Sequence, residues 1–139
     1  MKKIFVGLLL LLGMVGCTSV NPKSTSKTEV LVGKQYVLVQ QGKDFQITLN
    51  FAEDNIFGFA GVNHYFGKYE LDGNRIIIGE AGCTKMAGPE DAMQAEFDYL
   101  SKLGKVDTFE VTETGLVITT EKGEKLEFKL IEAPKPEQK

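Results

Sequence analysis

The chain of 139 residues lacks tryptophan and has only one histidine and two cysteines. A zinc site takes three or four ligands from histidine, cysteine or carboxylates, so His64 alone does not make one. The acidic residues stand singly at turns and strand edges, and Cys17 and Cys83 are too few for a cysteine-based site. We therefore expect no metal and no cofactor.

An excess of basic residues is also missing, since the formal net charge is −3. Nucleic acids and anionic lipid headgroups are bound through basic patches, and an acidic surface argues against both classes of partner. Nucleophile elbows, phosphate-binding loops and calcium loops are absent from the sequence as well. These absences argue against the common hydrolases, nucleotide-binding enzymes and calcium-binding proteins.

The apolar run from Ile4 to Val15 is shorter than the ~20 residues that a membrane-spanning helix needs. Lys2 and Lys3 precede the run, and it ends in Met14-Val15-Gly16-Cys17, which is the layout of a secretory signal. The last four residues resemble a bacterial lipobox, so we expect Cys17 to become a lipidated N-terminus. The alternative is a plain signal peptide followed by a chance cysteine. Several acyl chains would hold the protein on a membrane stably.

These features divide the chain into a signal peptide (1–16), a lipidated N-terminus with a flexible tether (17–32), one domain (33–131) and a disordered tail (132–139). Removing the signal takes two lysines and no acid, so the formal net charge falls from −3 to −5. If Cys17 carries lipid, Cys83 has no partner in the chain, and we expect no disulfide. We expect an exported protein anchored to the cell envelope. Thr18, in place of Asp, favours the outer membrane, facing the periplasm, if the cell has two membranes.

Alternation of apolar and polar residues predicts strands in most of the domain. The predicted strands lie at 34–40, 45–52, 74–79, 107–112, 115–120 and 124–131, with further strand-like sequence over 56–71. Residues 90–102 have helical spacing, and Met93, Phe97 and Leu100 are expected to face a sheet. The sequence therefore predicts an α+β domain, an antiparallel sheet of about six to seven strands packed on one α-helix.

His64 and Cys83 are the candidate catalytic residues. Period-two alternation places Asn63, Tyr65 and Gly67 on one side of a strand and His64 on the other. His64 lacks a second histidine, and Cys83 lacks a resolving cysteine, so an ordinary strand residue and a small buried side chain are the favoured interpretations. We expect no catalytic residue and no enzyme activity.

The aromatic residues of the same region allow two interpretations. They are Phe57, Phe59, Tyr65, Phe66 and Tyr69. They either form the core, which we favour, or line a groove between helix and sheet that holds an apolar ligand or peptide.

The order of these segments resembles the META domain family, also called HslJ-like. The resemblance rests on Gly58-Phe59-Ala60-Gly61-Val62-Asn63-His64-Tyr65-Phe66-Gly67-Lys68-Tyr69, on Thr84-Lys85-Met86-Ala87-Gly88, and on Glu96-Phe97 in the predicted helix. Val62 and Gly88 stand where the family often has a cysteine pair thought to form a disulfide. Tyr36 stands where tryptophan is common. The match covers about 33–130.

The resemblance implies an envelope protein linked to heat shock, antibiotic tolerance or virulence, without an established catalytic site. We expect a lipid-anchored, non-catalytic protein that supports tolerance of envelope or heat stress. The alternative is a binding module for an apolar ligand or peptide that acts as an envelope assembly factor. Its ligand-binding residues are not predicted.

Overall fold

The computed structural model describes residues 27–40 and 43–131. They form two helices and nine strands. The helices are α1 (Lys27–Leu31) and α2 (Glu90–Leu103). The strands are β1 (Gln35–Leu38), β2 (Thr48–Phe51), β3 (Asn55–Phe59), β4 (His64–Asp72), β5 (Arg75–Ile78), β6 (Gly82–Cys83), β7 (Val106–Val111), β8 (Gly115–Thr120) and β9 (Lys125–Ile131).

The strands form one sheet that closes on itself. Its order is β3-β2-β1-β9-β8-β7-β5-β4, and β4 pairs back with β3. Eight strands therefore make a closed antiparallel barrel, and the short β6 pairs with β4 beyond the end of β5. The first and last strands of the barrel, β1 and β9, are hydrogen-bonded neighbours along their whole shared length.

The expected fold, a sheet packed on one helix, is therefore wrong. The alternating residues were interpreted correctly as strands with one buried face, but that face points into a barrel and not towards a helical layer. A closed sheet buries its inward residues against one another, so the domain needs no separate layer to cover them. Alternation reports which residues of a strand are buried, and it does not report which strands are neighbours.

The interior is filled by inward side chains from all eight strands. In β4 the residues alternate between buried and exposed from His64 to Glu70. The rings of Tyr36, Phe51 and Tyr69 pack edge to face, with centroids 6.0 and 5.2 Å apart. Such pairs contribute about 0.5–1.5 kcal/mol beyond the burial of their surface.

Helix α2 lies across one end of the barrel, where β1 and β3 end and β2, β4 and β9 begin. It buries Ala92, Glu96, Tyr99 and Leu103. The helix was predicted correctly within a residue, but its predicted buried face was wrong. Met93 and Phe97 are exposed and Leu100 is half-buried. The true face lies about 100° around the axis and includes a charged residue, which apolar spacing does not detect.

Helix α1 lies at the opposite end, within the segment expected to be a tether. Leu31 is fully buried in the core, and the Gly33 amide donates to the Phe51 carbonyl at 3.0 Å. Cys17 and the predicted tail at 132–139 lie outside the described residues. Within 27–40 and 43–131, no helix is long and apolar enough to cross a membrane.

Candidate functional site

The segment that carries the single histidine enters β4 through a buried asparagine. Asn63 is buried, and His64, the first residue of β4, points outward, as the alternation predicted. The His64 ring lies beside the Phe59 ring on the outer face, with centroids 5.2 Å apart. His64 is therefore a surface residue of a strand pair, and the buried polar chemistry belongs to its neighbour.

The Glu96 carboxylate, carried into the protein by α2, binds the chain immediately before β4. Its Oε2 accepts hydrogen bonds from the Val62 amide at 3.1 Å and the Asn63 amide at 2.6 Å. Its Oε1 accepts one from the Asn63 side-chain Nδ2 at 2.7 Å. A buried carboxylate is costly unless donors surround it, and three donors converge here.

The Asn63 side chain ties this point to the segment that follows β6. Its Oδ1 accepts from the Met86 amide at 2.6 Å and from the Thr84 hydroxyl at 2.9 Å. Its Nδ2 donates to the Met86 carbonyl at 3.1 Å as well as to Glu96. One asparagine thus joins α2, the start of β4 and the 84–86 segment. We call these residues, Asn63, Thr84, Met86 and Glu96, the Asn63–Glu96 cluster.

The Asn63–Glu96 cluster has the properties of a structural cross-link. Each amide and carboxylate oxygen in it already has a protein partner. Among residues 27–40 and 43–131, no buried side-chain nitrogen or oxygen lacks a hydrogen bond. A general base needs a free lone pair within reach of a substrate proton. Both Glu96 carboxylate oxygens instead accept hydrogen bonds from the protein's own donors. The arrangement fixes the helix to the barrel.

A second buried chain of hydrogen bonds joins α2 to the barrel wall. The Tyr65 hydroxyl donates to the Thr48 carbonyl at 2.7 Å, so the Tyr99 hydroxyl donates to Tyr65, also at 2.7 Å. Burial raises the pKa of both phenols above the ordinary value, and in Tyr99 the neighbouring Tyr65 adds to the effect. Gly58 makes room for this contact, since a Cβ there would lie 3.0 Å from the Tyr65 hydroxyl and closer still to the Thr48 carbonyl oxygen. The backbone of Gly58 therefore approaches the Thr48 carbonyl closely.

The candidate thiol and the candidate histidine point to opposite faces of the sheet. Cys83 pairs with Tyr65 across β6 and β4, so its side chain points inward, where it packs against the core. His64 points outward, and its backbone pairs with Thr84. The structure therefore does not bring the two side chains together. In the described part of the chain, no group of three or more His, Cys, Asp or Glu residues is arranged to hold a metal ion.

A cleft does run between α2 and the barrel, as the groove interpretation required. It has a volume of about 480 Å³. Its lining mixes apolar and polar side chains and carries four charges, on Lys43, Asp91, Asp98 and Lys102. Pockets for apolar ligands are lined mainly by apolar and aromatic residues, so this cleft fits a polar ligand better.

The aromatic residues divide between the core and the surface. Tyr65 and Tyr69 are buried, as predicted, whereas Phe57 and Phe66 are 49% and 63% exposed, contrary to the core interpretation. They sit directly opposite each other on the outside of β3 and β4, and Phe59 is paired with His64 next to them. We call Phe57, Phe59, His64 and Phe66 the aromatic face.

The residues of the Asn63–Glu96 cluster coincide with the motif positions of one family, and the META domain matches the chain over residues 29–133. The chain belongs to the META domain family. A comparison with curated proteins gives no match.

Two solved structures share the fold of this META domain. One, determined by NMR, is of a protein from Burkholderia xenovorans, with a TM-score of 0.67 and 24% sequence identity, covering 76% of this chain and 87% of that one. Another NMR structure has a TM-score of 0.58 and 20% identity, covering 73% of this chain and 92% of that one. At such identities the likeness concerns the fold alone.

The contacts join the segments on which the resemblance to the META domain family rests. Asn63, Thr84 and Met86 come from two motifs about twenty residues apart, and Glu96 comes from the helix. Residue spacing alone gave no reason to bring these residues together. The signal that pointed to them was the resemblance, and the structure supplies its physical basis.

Proposed function

We propose that this META-domain protein is an exported lipoprotein, anchored through Cys17, that supports tolerance of envelope or heat stress without catalysis. The observation that carries the proposal is the sequence Met14-Val15-Gly16-Cys17 at the end of a short apolar run that follows two lysines. The spacing of this cysteine from the domain supports the proposal. Nine residues separate Cys17 from α1, which is enough for a short tether.

The side-chain arrangement supports the non-catalytic part of the proposal. Glu96 is engaged by three donors, and His64 and Cys83 point to opposite faces of β4 and β6. Nucleophilic catalysis requires a nucleophile and a base within hydrogen-bonding reach of each other. The residues that match the family motifs instead hold α2 and the 84–86 segment on the barrel.

The alternative is an assembly factor that holds an apolar ligand or a peptide. The cleft supports this alternative only with a polar peptide as the ligand. The cleft beneath α2 carries lysines and aspartates, so a polar peptide fits it better than an apolar ligand. We therefore keep the lipoprotein proposal as the main one.

The test uses two cysteine variants of the full chain in the native cell. The wild type and a Cys83→Ser variant should incorporate labelled palmitate and sediment with membranes, whereas Cys17→Ser should do neither. Separation of the two membranes on a density gradient should place the wild type in the outer one, and Thr18→Asp should shift it to the inner one. Membrane sedimentation and palmitate labelling of Cys17→Ser would contradict the anchor.

The stress role is tested with the same variants in a strain lacking the gene. Survival after heat and envelope-directed antibiotics should be restored by the wild type and by Cys83→Ser, and not by Cys17→Ser. Failure of Cys83→Ser at wild-type protein levels would contradict the non-catalytic part of the proposal. Equal survival with and without the gene would contradict the stress role.

A further inference from the structure

We propose that the aromatic face of β3 and β4 lies against the lipid surface of the membrane that carries the anchor. The proposal rests on the lipid anchor at Cys17 and goes beyond it, since an anchor alone leaves the orientation of the domain open. It assigns one side of the barrel to the bilayer.

The exposure of the aromatic face is the first reason. Phe57 and Phe66 form a directly opposed pair across two strands, so their exposed rings make one continuous surface and not two isolated contacts. The Phe66 ring packs over Gly82, where a Cβ would lie 2.8 Å from the ring, so the ring is held flat along the barrel. Contiguous exposed apolar surface of this kind marks an interaction site.

The distribution of charge is the second reason. The outward positions on three successive pairs, Asn55–Lys68, Phe57–Phe66 and Phe59–His64, include a lysine and no acidic residue. These six positions therefore lack the acidic excess that argues against anionic headgroups for the surface as a whole. Aromatic residues combined with lysine are the composition of surfaces that lie in the membrane interface.

The end of the barrel near α1 is the competing surface, because the chain enters the domain there. Its turns carry Glu53, Asp54, Asp72 and Glu113, all exposed. Anionic headgroups repel such a group of carboxylates, which disfavours an upright orientation with this end on the bilayer. A domain held close to the surface is then expected to lie on its side.

The length of the tether provides the third reason. Even fully extended, the ten residues from Cys17 to Ser26 would span at most about 35 Å, close to the ~30 Å that the nine residues of β4 extend. The anchor therefore keeps the domain within about its own length of the surface, where its sides meet the lipid repeatedly. The aromatic face is the side whose exposed rings gain from that contact.

The absence of tryptophan allows a direct test. The F66W variant introduces one fluorophore into the aromatic face, and F97W is its matched control, because Phe97 is 67% exposed and lies on α2. In a Cys83→Ala background, the chain from residue 17 is coupled through its Cys17 thiol to a maleimide phospholipid. The vesicles contain phosphatidylethanolamine and phosphatidylglycerol. Because the coupling is chemical, the result does not depend on whether cells lipidate Cys17.

On vesicles, the emission of F66W should shift to shorter wavelength and be quenched by lipids with brominated acyl chains, whereas F97W should show neither effect. F57W is a second reporter, to be used if F66W does not fold as the parent does. The absence of quenching in a folded reporter at 57 or 66 would overturn the proposal, as would equal quenching at position 97. A concentration-dependent shift of F66W without vesicles would also overturn it, because a second copy of the chain would then cover the face.

Discussion

Val62 and Gly88, the positions at which the resemblance to the family implies a cysteine pair, offer the sharpest test of how the 84–88 segment is held. A Cβ placed on Gly88 would lie 3.4 Å from the Val62 Cβ and 2.8 and 2.9 Å from its two methyl carbons. The two Cβ atoms of a disulfide are about 3.5–4.5 Å apart. The double variant Val62→Cys/Gly88→Cys should therefore form a disulfide after a shift of a few tenths of an ångström.

The expected gain follows from the length of chain that the disulfide closes. The loop from 62 to 88 has about 27 residues, and closing it removes about 12 cal/mol/K of chain entropy from the unfolded state, which corresponds to about 3.5 kcal/mol at 25 °C. For a domain of this size that free energy raises the melting temperature by roughly 15 °C. Strain in the closed form would reduce the gain.

The assay is urea unfolding of the oxidised and reduced double variant in a background of Cys17→Ser and Cys83→Ala, which leaves one cysteine pair. Comparing the two redox forms cancels the cost of replacing valine, because both forms bear it. A second pair of variants checks the same contact without sulfur. Gly88→Ala should destabilise by about 1–3 kcal/mol, because its Cβ would meet the Val62 methyl carbons, and adding Val62→Ala should restore most of that loss.

Two results would refute this reasoning. Thiols that remain titratable after oxidation would show that 62 and 88 are not adjacent. A disulfide that forms but raises the free energy of unfolding by less than about 1 kcal/mol would show that native strain or residual structure in the unfolded chain outweighs the entropy term.

Three further predictions concern α2. Glu96→Ala should lower the free energy of unfolding by at least about 3 kcal/mol in urea titrations, because three donors, two of them from Asn63, lose their acceptor. Glu96→Gln should lower the free energy of unfolding by less, because one oxygen remains as an acceptor. Equal stability of the wild type, Glu96→Ala and Glu96→Gln would contradict the role of the cluster. Burial raises the pKa of Tyr99 above 10.0, so the folded chain keeps a proton that the unfolded chain releases. Tyr99 should therefore contribute no pH dependence of stability below pH 10 and a loss of up to about 1.4 kcal/mol per pH unit above it. Tyr99→Phe should show a shallower alkaline loss, and identical slopes would contradict this. Phe97→Ala should change the free energy of unfolding by no more than about 0.5 kcal/mol, whereas Leu103→Ala should lower it by about 2–5 kcal/mol. A larger loss for Phe97→Ala than for Leu103→Ala would support the buried face predicted from spacing.

Local pattern was sufficient to predict most elements. The helix at 90–102 and the strand at 115–120 agree with α2 and β8 to within a residue, since both have clear periodicity and flanking turn residues. The closure of the barrel was not predictable in the same way. It depends on the pairing of β1 with β9, almost one hundred residues apart, and of β3 with β4 on the side away from β5. Such pairing depends on all the inward side chains together, and a short stretch of sequence does not reveal it.

The buried polar residues were the other feature that periodicity missed. The helix was expected to bury Met93 and Phe97, because a hydrophobic pattern assigns apolar residues to the interior and a glutamate to solvent. Glu96 is buried because the amides of residues 62 and 63 converge on its carboxylate. The sequence of the helix alone does not reveal these donors. They belong to residues 62 and 63, which precede β4 and lie outside the strands.

The Asn63–Glu96 cluster also gives a reason why this META domain holds together without the family's cysteine pair. Asn63, next to Val62, binds both the amide and the carbonyl of Met86, two residues before Gly88. These hydrogen bonds cross the same gap that a disulfide between 62 and 88 would cross, so both cross-links oppose the same local opening of the 84–88 segment. Amide exchange at Met86 should therefore slow when the Val62→Cys/Gly88→Cys variant is oxidised and should accelerate in Asn63→Ala. In the oxidised form, Asn63→Ala should accelerate that exchange less than it does in the reduced form, because the segment remains tied to β4 by the second link.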